Sequence, residues 1–371
     1  MKKCCALLAL FILSCITGCG VSDKKAFDIK SVSYSALPSW KSDDFTEALP
    51  ALIKNCEAMK EKSDWKTFCD GIIRLKDSSS KQIRKFIEST MTPYAVYSYG
   101  KQDGTFTGYY EASLTGSLTK DDVNQFPIYG LPEDLVSLDT KTVCALGGDT
   151  GLRVGRIEKN KFKPYLTRSE IEEKDFNAPV LLWVNDAVDA FILHIQGSGR
   201  VETPQGVYHV GYAANNGHDF VGIGSILAEE GVLEQGKSSM PHIREWMKKN
   251  PKEASEYMKK NPRYIFFKMT GQADGPLGAL GVPLTSKRSL AVDTRFIPLG
   301  TPIYLSTSDP DGDDIRQLVV AQDVGGAIKG AVRGDFFWGY GEEAFQKAGR
   351  MKSKGRYYIL WPKGATPPAS F

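Results

Sequence analysis

Apolar positions change period three times along the chain. Residues 4–18 are a nearly unbroken apolar or small run, and residues 20–42 are polar with little periodicity. Between 43 and 91 the period is helical. Leu49, Leu52, Ile53, Cys56 and Met59 fall on one stripe and Trp65, Phe68, Cys69, Ile72 and Ile73 on another, while serines 78–80 offer a helix start before Ile83, Phe86 and Ile87. From Phe106 short apolar or alternating runs punctuated by Gly and Pro predict strands near 106–112, 180–184, 188–196 and 207–213. A helical stretch is predicted over 220–260, with Pro251 suited to a first turn, and strands follow near 264–268, 288–293, 302–306, 316–322 and 356–361. A helix near 341–350, carrying Lys347 and Arg350 at its end, reads as a cover for the strands. No internal repeat is present, and the order helices, strands, helices, strands predicts one β domain inserted within another.

The N-terminal run is too short to span a bilayer and follows Lys2 and Lys3, so it reads as a removable signal sequence. Its end, Ile16-Thr17-Gly18-Cys19, resembles a bacterial lipobox, which makes Cys19 the lipidated first residue of the mature chain and residues 19–42 a tether from the membrane to the folded body. Gly20 rather than Asp after Cys19 favours sorting to the outer membrane, facing the periplasm. Cys4, Cys5 and Cys15 leave with the signal, so Cys56, Cys69 and Cys144 remain. Two antiparallel helices would bring Cys56 and Cys69 together, as a disulfide or as buried thiols.

Composition narrows the function classes. Of 371 residues, 42% are hydrophobic and 25% charged, with a net charge of +3, which is unlike a multi-span membrane protein and lacks the positive excess of a phosphate-dominated nucleic-acid binder. No Cys or His cluster has metal-ligand spacing, and nothing names a protein partner or a cofactor.

Several short motifs then occur in a specific order: Phe106-Thr107-Gly108-Tyr109-Tyr110, Phe126-Pro127-Ile128-Tyr129, His194-Ile195-Gln196-Gly197-Ser198-Gly199, Asn216-Gly217-His218, Asn261-Pro262 with Phe266-Phe267, and Asp323-Val324-Gly325-Gly326-Ala327-Ile328-Lys329-Gly330. From about 106 to 361 the chain resembles the membrane-bound lytic murein transglycosylase A family. The resemblance implies a lipoprotein lyase that cleaves peptidoglycan between N-acetylmuramic acid (MurNAc) and N-acetylglucosamine (GlcNAc), leaving a 1,6-anhydromuramoyl end. It also implies a mainly β fold with helices: a double-psi β-barrel formed by 43–111 and 263–371, a second β domain inserted at 112–262, and the glycan in the groove between them. The family's three-aspartate pattern falls on Asp293, Asp323 and Asp335, and the resemblance makes Asp323 catalytic and the other two supports.

The residues themselves fit such chemistry. The run Leu318-Val319-Val320-Ala321 delivers Asp323 to a strand end, where Gly325 and Gly326 permit a close backbone approach to a ligand. A glycosidic oxygen leaves readily only when protonated, so Asp323 starts as a neutral acid with a raised pKa; its carboxylate then takes the proton of the muramoyl 6-hydroxyl as that oxygen attacks its own anomeric carbon. Tyr109 and Tyr110 point to opposite faces of a strand, one of them toward the groove for sugar stacking. Gln196 and Ser198 read either as hydrogen-bonding groups for acetamido and hydroxyl substituents or as a plain turn. Glu111 stands where a small or hydroxyl residue is expected, a carboxylate at the groove edge and a candidate second acid. His194 and His218 read as packing or capping residues, the run Asp309 to Asp314 as an acidic hairpin loop, and Lys248, Lys249, Lys252, Lys259 and Lys260 as a solvated basic face or a contact for stem-peptide carboxylates. A hydrolytic muramidase using a second carboxylate, and a non-catalytic expansin-like wall-binding lipoprotein, are the alternatives.

Overall fold

The computed structural model describes residues 25–139, 153–173, 176–234, 236–271 and 275–370; the signal run, Cys19 and Cys144 lie outside them. Strands β1 (Asp28–Ser31) and β2 (Met91–Tyr97) bracket helices α1 (Phe45–Met59), α2 (Ser63–Ile73) and α3 (Ser80–Thr90). The long β3 (Gly104–Ser117) leads into the middle of the chain. There β4 (Phe126–Tyr129), β5 (Val136–Ser137), β6 (Val154–Glu158), β7 (Lys161–Pro164), α4 (Arg168–Glu172), β8 (Val180–Val184), α5 (Ala187–Gln196), β9 (Ser198–Thr203), β10 (Gly206–Asn215), α6 (Ile223–Glu229), α7 (Met240–Lys249), α8 (Pro251–Lys259) and β11 (Ile265–Thr270) follow. The C-terminal part holds β12 (Ser289–Val292), β13 (Pro302–Ser308), β14 (Asp314–Asp323), β15 (Arg333–Tyr340), α9 (Gly341–Arg350) and β16 (Lys352–Pro362).

Strands β16, β13, β14, β12, β15 and β3 pair in that order, and β3 pairs back with β16 through Gly104–Thr107, so the six close into a barrel. Closure leaves no free edge within the ring. The second half of β3 runs out of the barrel and pairs with β9 on one side and β8 on the other, giving the middle β layer β4-β8-β3-β9-β10-β11. One strand therefore belongs to both bodies, and the boundary expected at 111/112 falls inside it. The mixed architecture, richer in strand than helix, agrees with the expected fold class.

The helical N-terminal part covers the outside of the barrel. Leu52, Cys56, Phe68, Ile83 and Ile87 pack with Leu318, Val320 and Leu360 from the barrel strands. Cys56 and Cys69 are joined as a disulfide that ties α1 to α2. Asp44 caps α1 by accepting from the Thr46 N–H, and Ser79 with Gln82 forms the box that starts α3. The expectation of a tether to residue 42 is corrected. Phe27, Leu37 and Trp40 are buried and β1 pairs with β2, because aromatic residues scattered through a polar segment found apolar sites on a surface distant in sequence. Residues 188–196 are a helix rather than a strand. Asp186 accepts from the Asp189 N–H to start it, and its residues are buried nearly all round against β3, so the amphipathic period that announces a helix is absent.

Candidate active site

Asp323 ends β14, and its position is fixed on both sides. The neighbouring Gln322 is fully buried, with its Oε1 accepting from Ser289 Oγ at 2.6 Å and its Nε2 donating to the Ala51 carbonyl at 3.1 Å. The loop after Gly275 passes so close that a Cβ on Gly278 would stand 2.5 Å from the Gln322 carbonyl, which requires glycine there. That approach lets the Ala279 N–H donate to Asp323 Oδ1 at 3.0 Å, while the Tyr109 hydroxyl donates to Oδ2 at 3.0 Å. Burial raises the Asp323 carboxyl to about 6; the Asp335 charge adds to the rise, and the hydrogen bonds from Val324, Ala279 and Tyr109 oppose it. Burial and the Asp323 charge also hold the Tyr109 hydroxyl well above its ordinary value, so it stays a donor.

Strand register brings Asp335 to the same face. Ala291 of β12 pairs with Asp323 on one side and with Asp335 on the other, and Asp335 pairs with Thr107 of β3. The two carboxylates thus sit two strands apart, on the order of 10 Å between backbones, over a small alanine. Burial raises the Asp335 carboxyl, opposed by a 2.5 Å hydrogen bond from Thr107 Oγ1 and by the nearby Arg333. Asp293 is different. Burial pushes its carboxyl up, but hydrogen bonds from Arg295 and from the Gly330 N–H outweigh that and leave it below the usual carboxylate range. Its 2.7 Å bond to Gly330 ties down the end of the segment 324–330 that follows Asp323. The two flanking aspartates therefore differ: the Asp335 charge adds to the rise of the Asp323 carboxyl, and Asp293 ties down a loop.

Several expected groove residues are covered. Tyr109 and Tyr110 do point to opposite faces of β3, but both faces are covered. Tyr109 is buried among Leu284, Ala291 and Phe337, and Tyr110 packs against Phe345 of α9, so neither offers a free ring to a sugar. Gln196 ends α5 and its Oε1 accepts from the Tyr110 N–H at 3.1 Å, which holds β3, and Ser198 is buried at the start of β9, where it pairs with Gly211 of β10. Glu111 is buried and accepts from Arg200 at 2.5 Å and faces His209 Nδ1 at 3.1 Å, which corrects its reading as an open carboxylate at the groove edge. Gly325 and Gly326 remain beside Asp323, with the Ile328 N–H donating to the Gly325 carbonyl at 3.0 Å.

The remaining expectations resolve into structural roles. His194 Nδ1 accepts from the Ile265 N–H at 3.1 Å, and burial pushes its ring well below the ordinary histidine value; His218 Nε2 donates to the Tyr165 carbonyl at 2.9 Å. Asp309 and Asp311 lie in the hairpin between β13 and β14 and are neutralised by Lys347 and Arg350 of α9. Lys248, Lys249, Lys259 and Lys260 are paired with Asp186 and Asp189, Glu245, Glu173 and Glu256, and Glu230, so the basic face is largely self-compensated. Among the described residues no group of three His, Cys, Asp or Glu side chains is arranged to hold a metal ion. The role of Ala279 had no signal in the sequence, since it depends on a contact between distant segments.

Comparison with known proteins places the chain in a family. The MltA specific insert domain matches residues 105–268 and the 3D domain matches residues 288–361. Membrane-bound lytic murein transglycosylase A of Escherichia coli K12 is 31% identical over 265 residues, covering 69% of this chain and 65% of that protein, so the match spans just under two thirds of that relative. Among solved structures, MltA from Neisseria gonorrhoeae is 36% identical with a TM-score of 0.81 and covers 92% of this chain and 94% of its own. The membrane-bound lytic murein transglycosylase from Agrobacterium tumefaciens is 30% identical with a TM-score of 0.79, over 91% of this chain and 98% of its own. With that identity carried across nearly the whole of the Neisseria structure, this chain belongs to the membrane-bound lytic murein transglycosylase A family.

Proposed function

We propose that the protein is a lytic transglycosylase of peptidoglycan that cleaves the β-1,4 bond after MurNAc and leaves a 1,6-anhydromuramoyl end, with Asp323 as acid and then base. The observation that carries this reading is a carboxyl at a strand end, raised to about 6 by burial and held by two donors from opposite sides. A protonated Asp323 donates to the leaving GlcNAc oxygen as positive charge grows at the anomeric carbon. The resulting carboxylate, solvated by Tyr109 and the Ala279 N–H, then accepts the 6-hydroxyl proton as that oxygen closes onto the same carbon. Nucleophile and electrophile belong to one sugar, so the second step needs neither an ordered water nor a second carboxylate. Glu111 and Asp293, each held by an arginine, fit poorly as the second acid of a hydrolase. Weighing the released muropeptides tests the reading, since a hydrolase yields products one water heavier.

The acid must be protonated to start, so turnover is expected to be high below about pH 6 and to fall as pH rises through that value. Two substitutions should move this fall in opposite directions. Tyr109→Phe removes a hydrogen bond that favours the carboxylate, which raises the Asp323 pKa and carries the fall to higher pH. Asp335→Asn removes a charge that disfavours the carboxylate, which carries it to lower pH. The pH dependence of kcat/KM on purified sacculi measures both; shifts in the same direction would refute the assigned roles.

We infer further that the chain is a lipoprotein anchored through Cys19 to the outer membrane and facing the periplasm. The lipobox-like Ile16-Thr17-Gly18-Cys19 supports this, and among the described residues no helix is long and apolar enough to cross a membrane. Cys19→Ala is expected to leave the protein unprocessed or soluble. A correctly cleaved variant that still sediments with membranes would remove the lipid anchor from the account.

A further inference from the structure

The strand that pairs with the two covered tyrosines ends in a third whose ring is free. Tyr340 closes β15 and is 62% exposed. Its neighbours Gly339 and Gly341 have φ of 98° and 87°, a conformation that glycine adopts readily, and the chain turns from β15 into α9 with Tyr340 standing out between them. One face of the ring is held. The Arg200 guanidinium of β9 lies 3.6 Å from the ring centroid, stacked over that face. Arg200 is fixed in turn, because its Nε and Nη2 donate to Oε2 of the buried Glu111 at 3.2 and 2.5 Å, and Glu111 Oε1 faces His209 Nδ1 at 3.1 Å. Among the described residues no other ring or charge contacts Tyr340.

Register ties this ring to the acid. Tyr340 pairs with Glu111 and Phe337 with Tyr109, whose hydroxyl reaches Asp323. Glu111 follows Tyr109 by two positions and so lies on the same face of β3, opposite to the face on which Tyr110 packs against Phe345. Two residues of strand span about 7 Å, so the Glu111 cluster and the Tyr109–Asp323 bond are neighbours on one side of the sheet. The strand order β14-β12-β15-β3-β9 puts Arg200 on the far side of β3 from Asp323. The guanidinium therefore comes to the ring from the inserted-domain side, and the face it leaves open is turned to the barrel strands that carry the acid. A pyranose stacks its C–H-lined face on an aromatic ring, and a ring already fixed in place loses little freedom on binding. We propose that Tyr340, clamped by Arg200 and Glu111, is a stacking platform for a sugar of the glycan strand beside the bond that Asp323 is proposed to cleave. This deepens the transglycosylase reading and rests on it. Arg200 and Glu111 are positioning residues that act through the ring.

Tyr340 is exposed and its backbone is extended, so Tyr340→Ala should fold as wild type does, which a melting curve checks. It is expected to weaken binding of chitohexaose, a GlcNAc oligomer, about 10-fold and to lower kcat/KM on purified sacculi by a similar factor through KM, as for loss of one aromatic stack. Tyr340→Phe and Tyr340→Trp restore a ring and should regain most of that loss. Arg200→Lys keeps a cation for Glu111 but not the flat stack; it should weaken binding by a smaller factor and add nothing in the Tyr340→Ala background. The pH at which kcat/KM falls should not move in Tyr340→Ala, and a moved fall would mean that the substitution acts by disturbing Tyr109. A second measurement needs no variant. Nitration of the wild-type protein with tetranitromethane, mapped by peptide mass, is expected to modify Tyr340 and the equally exposed Tyr99, and saturating chitohexaose should protect Tyr340 alone. Equal nitration of Tyr340 with and without the oligomer, a shifted pH dependence, or a loss that a restored ring does not regain would overturn the proposal. A wild-type protein in which chitohexaose protects Tyr340 but sacculi release no anhydro product would instead remove the transglycosylase reading and leave the platform standing.

Discussion

Asp323→Asn is expected to keep its fold and its hold on glycan while losing turnover by about 10²- to 10⁴-fold, the usual worth of general acid-base assistance. The amide fills the volume of the carboxyl, and its oxygen still accepts from the Ala279 N–H or the Tyr109 hydroxyl, both of which lie at 3.0 Å from the native group. The tyrosine can rotate its proton away and accept from the amide nitrogen, so no buried donor is stranded. What the amide cannot do is give a proton to the leaving oxygen and take another back. Release of muropeptides from sacculi, with a melting curve on the same sample, measures both halves of the expectation. Turnover within a few-fold of wild type would show that the acid lies elsewhere, and Asp335 would become the first residue to examine.

The largest effect on stability is expected from Asp43→Ala, far from the site. Asp43 and Arg288 are both buried, with Arg288 Nη1 donating to Asp43 Oδ1 at 3.0 Å and the Leu318 N–H donating to Oδ2 at 2.7 Å. This bond set fastens the start of α1 to the middle of β14, the strand that ends in Asp323. Truncation leaves the buried guanidinium with the more exposed Glu47 as its remaining carboxylate, beside the Leu318 and Asp44 carbonyls, and strands the Leu318 N–H, a combination that typically costs about 3–5 kcal/mol. Replacing both partners by apolar residues of similar volume should cost much less, because no charge is then left behind. Thermal unfolding of the single and double variants separates the two cases. A single variant within about 1 kcal/mol of wild type would mean that water already reaches the pair.

Much of the site was legible in the sequence because its chemistry is local. An apolar strand run ending in Asp323-Val324-Gly325-Gly326 says what the residue is and where the strand stops, and β14 ends at that aspartate. Asp293 and Asp335 could be found by motif, but their division of labour could not, since it depends on Gly330 reaching one and on the β12–β15–β3 register placing the other. Tyr109 reads from the sequence as a stacking ring, and in the structure it is a buried donor to Asp323. Alternation along a strand says which way a ring points and nothing about what covers that face, and here β12 and β15 supply Ala291 and Phe337 to bury it. Glu111 was misplaced in the same way, because its partners Arg200 and His209 come from strands about ninety residues downstream. The helix at 187–196 and the buried Trp40 show the same limit in the fold: a segment surrounded on all sides loses the period that would announce it, and an isolated aromatic announces nothing.

The single strand that serves both bodies has a mechanical consequence. Any rotation of the inserted domain against the barrel has a fulcrum where β3 leaves the ring, between Glu111 and Ala112. Displacement grows with distance from a fulcrum, and Tyr109 lies two residues from this one. A rotation about that point displaces the far end of the inserted β layer most and the Tyr109 hydroxyl least, so the donor to Asp323 is set by the barrel and not by the inserted domain.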